Sequence, residues 1–277
     1  MSDQRTIIVT GCSSGIGAYC ARALKADGWR VFATVRKDAD LVRLEAQGLE
    51  VFRLDYTEPT TISECVGEIA ERTQGKLYAL FNNGAYGQPG AVEDLTRGAL
   101  EAQFQANVFG WHDLTRRALP LIRANGGGRI VQNSSVLGLV ALKWRGAYNA
   151  SKFAIEALSD TMRLELKPFN IHVAIIEPGP ITSKFVIHAL EAFDRNIDEA
   201  QSHYRDIYVQ QRKRLQKTKP GRFKLPPEAV LDKLIHALES PKPKIRYTVT
   251  TPTLVMSWCK RLLPPRLLDR VIDKASD

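Results

Sequence analysis

Thr6-Ile7-Ile8-Val9-Thr10-Gly11-Cys12-Ser13-Ser14-Gly15-Ile16-Gly17 is the stretch that decides the fold. A short β-branched run reaches Thr10, a glycine-spaced turn follows, and an alanine-rich helical pattern then runs from Gly15 to about Asp27. Glycine at these places lets the backbone turn sharply and approach an anion closely. The helix start adds unpaired N–H groups and the positive end of its dipole. An isolated glycine cluster would signify an ordinary tight turn. With a strand before it and a helix after it, the cluster reads as a pyrophosphate cradle, with Gly11, Ser13, Ser14, Gly15, Ile16 and Gly17 as its contact residues.

Working outward, apolar β-branched runs recur at Arg30–Thr34, Glu50–Leu54, Leu77–Phe81, Gly128–Asn133, His172–Ile176 and near Lys244–Val249. Helical patterns lie between them at about Asp40–Gln47, Thr60–Arg72, Arg97–Arg123 and Ala147–Leu166, the last stopped by Pro168. This alternation predicts βαβ units in an α/β fold: a single doubly wound Rossmann-type domain over residues 1–277, with a seven-stranded parallel sheet and helices on both faces. From about 180 to 224 the rhythm breaks, and the segment reads as a lid inserted over the site. Its Phe185, Val186, Ile187, Leu190 and Phe193 have helical spacings suited to one apolar face. A basic helical extension follows at about 250–277.

Composition sets the outer limits. Hydrophobic residues at 44% and charged residues at 25% exclude a disordered or fibrous chain. Cys12, Cys20, Cys65 and Cys259 form no CxxC pair and no metal-ligand spacing, so the reading is a metal-free protein of a reducing, cytoplasmic setting. The net charge of +9 is uneven: residues 205–277 hold 17 Lys and Arg against 7 Asp and Glu, while residues 1–204 sum to −1. That tail is either a solvated surface or a weak membrane-surface contact. Without interleaved aromatics it argues against nucleic acid.

The chemical residues come later. Tyr148 and Lys152 are four apart and project from one helix face, and Ser135 closes the fifth strand thirteen residues before Tyr148. A tyrosine ordinarily titrates near ~10, and an adjacent ammonium favours its phenolate. The Thr-Gly-x-x-x-Gly-x-Gly spacing together with this constellation resembles the short-chain dehydrogenase/reductase family, over roughly residues 5–190. The runs Phe32–Arg36 and Tyr148–Ala154 are most similar to its hydroxysteroid and retinol dehydrogenase branch.

The resemblance implies hydride transfer between a nicotinamide and a carbonyl or alcohol, with Asn107, Ser135, Tyr148 and Lys152 as the catalytic set. Asn107 has a second reading as a helix brace, and Ser134 competes with Ser135. The resemblance further assigns the cofactor to Asp55 at the end of the third strand, to Asn82 and Gly84, to Ile181 and Ser183 (or Thr182) after Pro178-Gly179, and to Tyr148 and Lys152 themselves. The family pattern Asn-Asn-Ala-Gly appears here as Asn82-Asn83-Gly84-Ala85, with the last two exchanged. The second strand ends in Arg36-Lys37 with no carboxylate, so NADP(H) is favoured and NAD(H) stays open; an exposed surface pair is the alternative. The expected substrate is a small hydrophobic ketone, aldehyde or alcohol, and the expected assembly a homodimer or homotetramer. Two other functions are alternatives: a catalytically silent dinucleotide-binding regulator, and a peripheral membrane protein, to which Gln211-Arg212-Lys213-Arg214 and Lys260-Arg261-Leu262-Leu263 point.

Overall fold

The computed structural model describes residues 4–215 and 223–276. Seven strands, β1 (Thr6–Val9), β2 (Arg30–Val35), β3 (Glu50–Arg53), β4 (Ala79–Asn82), β5 (Gly128–Asn133), β6 (Ile171–Glu177) and β7 (Arg246–Thr248), form one sheet in the order β3-β2-β1-β4-β5-β6-β7. Every pairing is parallel. The strands are buried on both faces, as their near-continuous apolar sequences require. Period-two alternation sends Ile7, Val9, Val31 and Ala33 to one core and Ile8, Phe32, Leu80 and Ile130 to the other.

Helices α1 (Gly15–Ala26), α2 (Asp38–Glu45) and α9 (Glu228–Glu239) cover the first core, and α3 (Pro59–Arg72) and α5 (Gly110–Ala124) the second. α9 supplies Val230, Leu234, Ala237 and Leu238, all fully buried, and was not among the expected helices. The expected continuous helix over Arg97–Arg123 is instead α4 (Arg97–Phe104), a π-helical turn at Gln105–Phe109 and α5. α6 (Gly146–Glu165) carries Tyr148 and Lys152.

The excursion after β6 contains α7 (Phe185–Asn196) and α8 (Arg205–Leu215). Its two ends are pinned together, since Thr182 N–H donates to Leu225 O at 2.9 Å and Leu225 N–H donates to Pro180 O at 3.0 Å. The expected single C-terminal helix is two, α10 (Thr251–Leu262) and α11 (Pro265–Ser276). The break falls at Pro264-Pro265, where Pro265 takes the first position of α11, a place at which its missing N–H costs no hydrogen bond.

Strand order reverses between β1 and β4, which leaves a crevice beyond their carboxyl ends. The loops after β1, β4, β5 and β6 all open there.

Candidate active site

Those four loops enclose a cleft of about 510 Å³, with Gly11, Ser14, Asn83, Ser135, Tyr148 and Pro180 in its wall. At one end the glycine turn is built without room for side chains. Gly11 and Gly15 have φ of +69° and +59°, and a Cβ on Gly15 would come within 2.9 Å of Ser183 Cβ. A Cβ on Gly17 would collide with the carbonyls of Gly11 and Thr10. Ser14 starts α1 with no side-chain cap, so the helix's first N–H groups stay available to an anion, and no acidic residue occupies that first turn. A dinucleotide pyrophosphate fits such a cradle.

Asparagines tie the floor together. Asn83 Nδ2 donates to Thr10 O at 2.8 Å, and Asn133 Nδ2 donates to Asn83 Oδ1 at 2.8 Å, which links β1, β4 and β5. The neighbouring Asn82 points the other way, donating to Thr115 Oγ1 at 2.9 Å and accepting from the Tyr56 hydroxyl at 3.2 Å. Strand parity explains this, because Asn82 shares the face of Leu80, toward α5. Asn83, absent from the expected set, lines the cleft with Gly84. Trp111 Nε1 holds the Gly84 carbonyl at 2.7 Å.

Tyr148 and Lys152 meet over this floor. Lys152 Nζ donates to the Asn133 carbonyl at 2.8 Å and sits 4.3 Å from the centroid of the Trp111 ring and 5.6 Å from that of Tyr148. Lys152 is almost fully buried, and burial drives its pKa down to about 7, opposed by the Glu156 carboxylate one turn later. Burial likewise pushes the Tyr148 phenol above its usual value, with Ser135 pulling it back. Ser135 also caps a 3₁₀ turn by accepting the Leu137 N–H at 3.1 Å, and the neighbouring Ser134 lines the same cleft.

Asn107 lies in the π-helical turn, fully buried. It donates to Tyr86 O at 2.9 Å and to Ser151 Oγ at 3.2 Å, and accepts from Tyr86 N–H at 3.3 Å. These contacts make it a brace between the post-β4 loop and α6. Behind α6, Arg246 meets three carboxylates, Glu156 at 3.1 Å, Asp160 at 2.6 Å and Glu177 at 3.2 Å. One guanidinium cannot neutralise all three in a buried place, so burial first and Glu156 second raise Glu177 to about 7.

At the adenine end, Arg36 extends from β2 with its side chain 65% exposed, 4.0 Å from Asp55. Asp55 also accepts from Thr57 N–H and Oγ1, fixing the turn after β3. Arg43 Nη2 donates to Ser13 O at 2.8 Å, a basic neighbour of the glycine turn that lies outside the expected cofactor set. At the other end Ile181 and Ser183 line the cleft.

The apolar face expected across the excursion is divided. Phe185 packs edge-on to Tyr148 at 5.3 Å, and Val186 joins it in the wall. Phe193 turns into a separate small core with Ala91, Ile197 and Tyr208, and Ile187 is exposed. Phe185→Ala should therefore change substrate KM and preference with little loss of stability. Phe193→Ala should cost roughly 3–5 kcal/mol of folding free energy and leave preference alone. Denaturation paired with steady-state kinetics reads both, and identical behaviour of the two variants contradicts the division. Arg212, part of the basic run read for a membrane contact, is committed to Asp194, to Glu199 at 3.0 Å and to the Phe193 ring.

Known proteins place this architecture. Residues 5–192 match the family model for short chain dehydrogenase. The chain is 42% identical to an uncharacterized oxidoreductase, YbbO, of Escherichia coli, covering 97% of this chain and 94% of that protein. It is 32% identical to an NADPH-dependent 3-dehydrocapnine reductase of Ornithobacterium rhinotracheale (98% and 97% covered) and to human retinol dehydrogenase 16 (97% and 88% covered). A short-chain dehydrogenase from Streptomyces avermitilis superposes with a TM-score of 0.80 at 29% identity, covering 98% of this chain and 94% of that one. The chain belongs to the short-chain dehydrogenase family, with retinol dehydrogenases among its relatives.

Proposed function

We propose that the protein is an NADP(H)-dependent oxidoreductase that interconverts a hydrophobic ketone or aldehyde and its alcohol, with Tyr148 as the acid/base. The observation that carries this reading is the convergence of Tyr148, Lys152 and Ser135 on one cleft with the uncapped N-terminus of α1. A nicotinamide dinucleotide, when bound, supplies or accepts the hydride. Gly11, Ser13, Ser14, Gly15, Ile16 and Gly17 hold its pyrophosphate, while Gly84, Ile181 and Ser183 border its nicotinamide end.

In the reducing direction the substrate carbon gains the hydride and its oxygen takes the Tyr148 phenolic proton. Ser135 donates to the developing oxyanion. Lys152 stabilises the phenolate that remains, and its burial beside Trp111 keeps water from screening that charge. Asn107 holds α6 against the post-β4 loop and thereby positions the pair. Oxidation runs the same steps backwards. The apolar wall of Val136, Leu137, Leu142, Phe185 and Val186 favours a hydrophobic substrate. The excursion holding α7 roofs the substrate side.

Arg36 carries the cofactor preference: it is an exposed guanidinium at the end of a strand that contributes no carboxylate, and its contact with Asp55 from beyond β3 is a loose 4.0 Å. The NADPH dependence of the related 3-dehydrocapnine reductase is in keeping with this. Arg36→Ala should weaken NADPH about ten- to a hundredfold and NADH hardly at all, because a hydrogen bond to a charged group contributes roughly 1.5–3 kcal/mol. Fluorescence titration with both cofactors decides, and equal losses would assign Arg36 a structural part only. The reading as a whole is tested by a panel of hydrophobic carbonyls and alcohols followed at the nicotinamide absorbance. No turnover with any member, despite tight NADPH binding, would favour a silent dinucleotide-binding regulator.

A further inference from the structure

Beyond the catalytic cleft, the largest unexplained feature is the outer side of α10 and α11. Leu254, Val255, Trp258 and Leu262 fall at i, i+1, i+4 and i+8 on α10, so they form one stripe, and each is about half exposed or more, Leu262 reaching 72%. Leu267 at the start of α11 continues it. Arg261, Arg266, Arg270 and Lys274 flank the stripe along the chain, against only Asp269 and Asp273 in residues 251–276, while Lys260 turns to the opposite side of α10, over the Phe153 ring. An exposed tryptophan and leucines edged by Lys and Arg suit neither bulk water nor a protein core.

We propose that α10 and α11 lie flat on an anionic lipid bilayer at the edge of the active-site cleft, with the α10 stripe seated at the headgroup boundary. Charge decides the occupant. A second copy of the chain related by a two-fold axis would bring these four flanking cations toward the same four of its partner, whereas anionic headgroups complement them. No helix among the described residues is long and apolar enough to cross a membrane, so the contact is interfacial.

The inner side of the helix pair adjoins the cleft at both ends. Thr250 and Thr253 at the start of α10 pack so closely on Gly179, a cleft residue, that a Cβ there would collide with Thr250 Oγ1. At the far end Ser276 Oγ accepts the Lys143 N–H at 3.2 Å, beside Leu142 in the cleft wall, and Lys143 pairs with Asp273. An apolar substrate dissolved in the bilayer is thus presented near the cleft. Only this last point rests on the proposed function, because docking itself is read without turnover.

The experiment is co-sedimentation of the full chain with vesicles of phosphatidylcholine alone and of phosphatidylcholine mixed with phosphatidylglycerol. The wild type should partition onto the mixed vesicles at low salt and be released by high salt. Arg266→Gln and Arg270→Gln should each lower the partition coefficient about fivefold, and Trp258→Ser with Leu262→Ser about tenfold or more. These side chains are exposed and none of them lines the cleft, so all variants should keep cofactor affinity and turnover of a water-soluble carbonyl. Failure to bind the mixed vesicles, or equal binding to both kinds, overturns the proposal. So does a wild-type dimer that Trp258→Ser with Leu262→Ser converts to monomer, since the stripe would then be covered by a second copy.

Discussion

Tyr148→Phe is expected to lower kcat by roughly a hundred- to ten-thousandfold while NADPH affinity stays within about twofold of wild type. The substitution removes one hydroxyl and keeps the ring that packs on Phe185, so the cleft wall and α6 survive it. What is lost is the proton that the substrate oxygen must gain or give up. The raised phenol pKa gives a further sign to test. A neutral phenol is the donor in carbonyl reduction, so that direction should hold its rate through the neutral range. Alcohol oxidation needs the phenolate and should rise with pH. Both profiles are measured by nicotinamide absorbance, and a variant with near wild-type kcat would remove Tyr148 from the acid/base position.

Much of this was legible in the sequence because parallel strands buried on both faces are written as β-branched runs, each ending where a loop must reach the crevice. The glycine turn, Ser135, Tyr148, Lys152, Ile181 and Ser183 all fall on one cleft for that reason. Other features depended on tertiary detail. Asn82 and Asn83 are chemically identical, and only the parity of β4 shows that the second faces the cleft. The π-helical turn that presents Asn107 leaves no composition signal, since it adds one residue to an otherwise helical pattern. α9 is written in Val230, Leu234, Ala237 and Leu238, whose i, i+4, i+7, i+8 spacing marks one buried face directly after a basic, polar tract. The split of Phe185 from Phe193 required knowing where α8 puts Tyr208.

Lys152→Met should abolish useful turnover and, in the same protein, raise the stability of the cofactor-free fold. The two effects have one cause. An ammonium held among Trp111, Tyr148 and a single carbonyl acceptor lacks most of its hydration, and its pKa falls from 10.5 to about 7. The unfolded chain keeps that proton up to its ordinary lysine value and therefore binds more protons than the native state between about pH 7 and 10.5. Stability from this group rises with pH across that window, by at most about 1.4 kcal/mol per unit, and the group is a net cost below it. Methionine fills similar volume without a charge to desolvate. The variant should thus unfold at higher denaturant near pH 7, and its advantage over wild type should shrink toward pH 9. Taking the difference between the two proteins cancels the opposing titrations of the buried Cys12, Cys20 and Cys65, which both share. Urea unfolding of both at several pH values gives the result. If the variant is less stable at pH 7, Lys152 is a structural tether whose bond to Asn133 outweighs its desolvation. If it is more stable and inactive, the fold carries a strained cation because the chemistry requires one there.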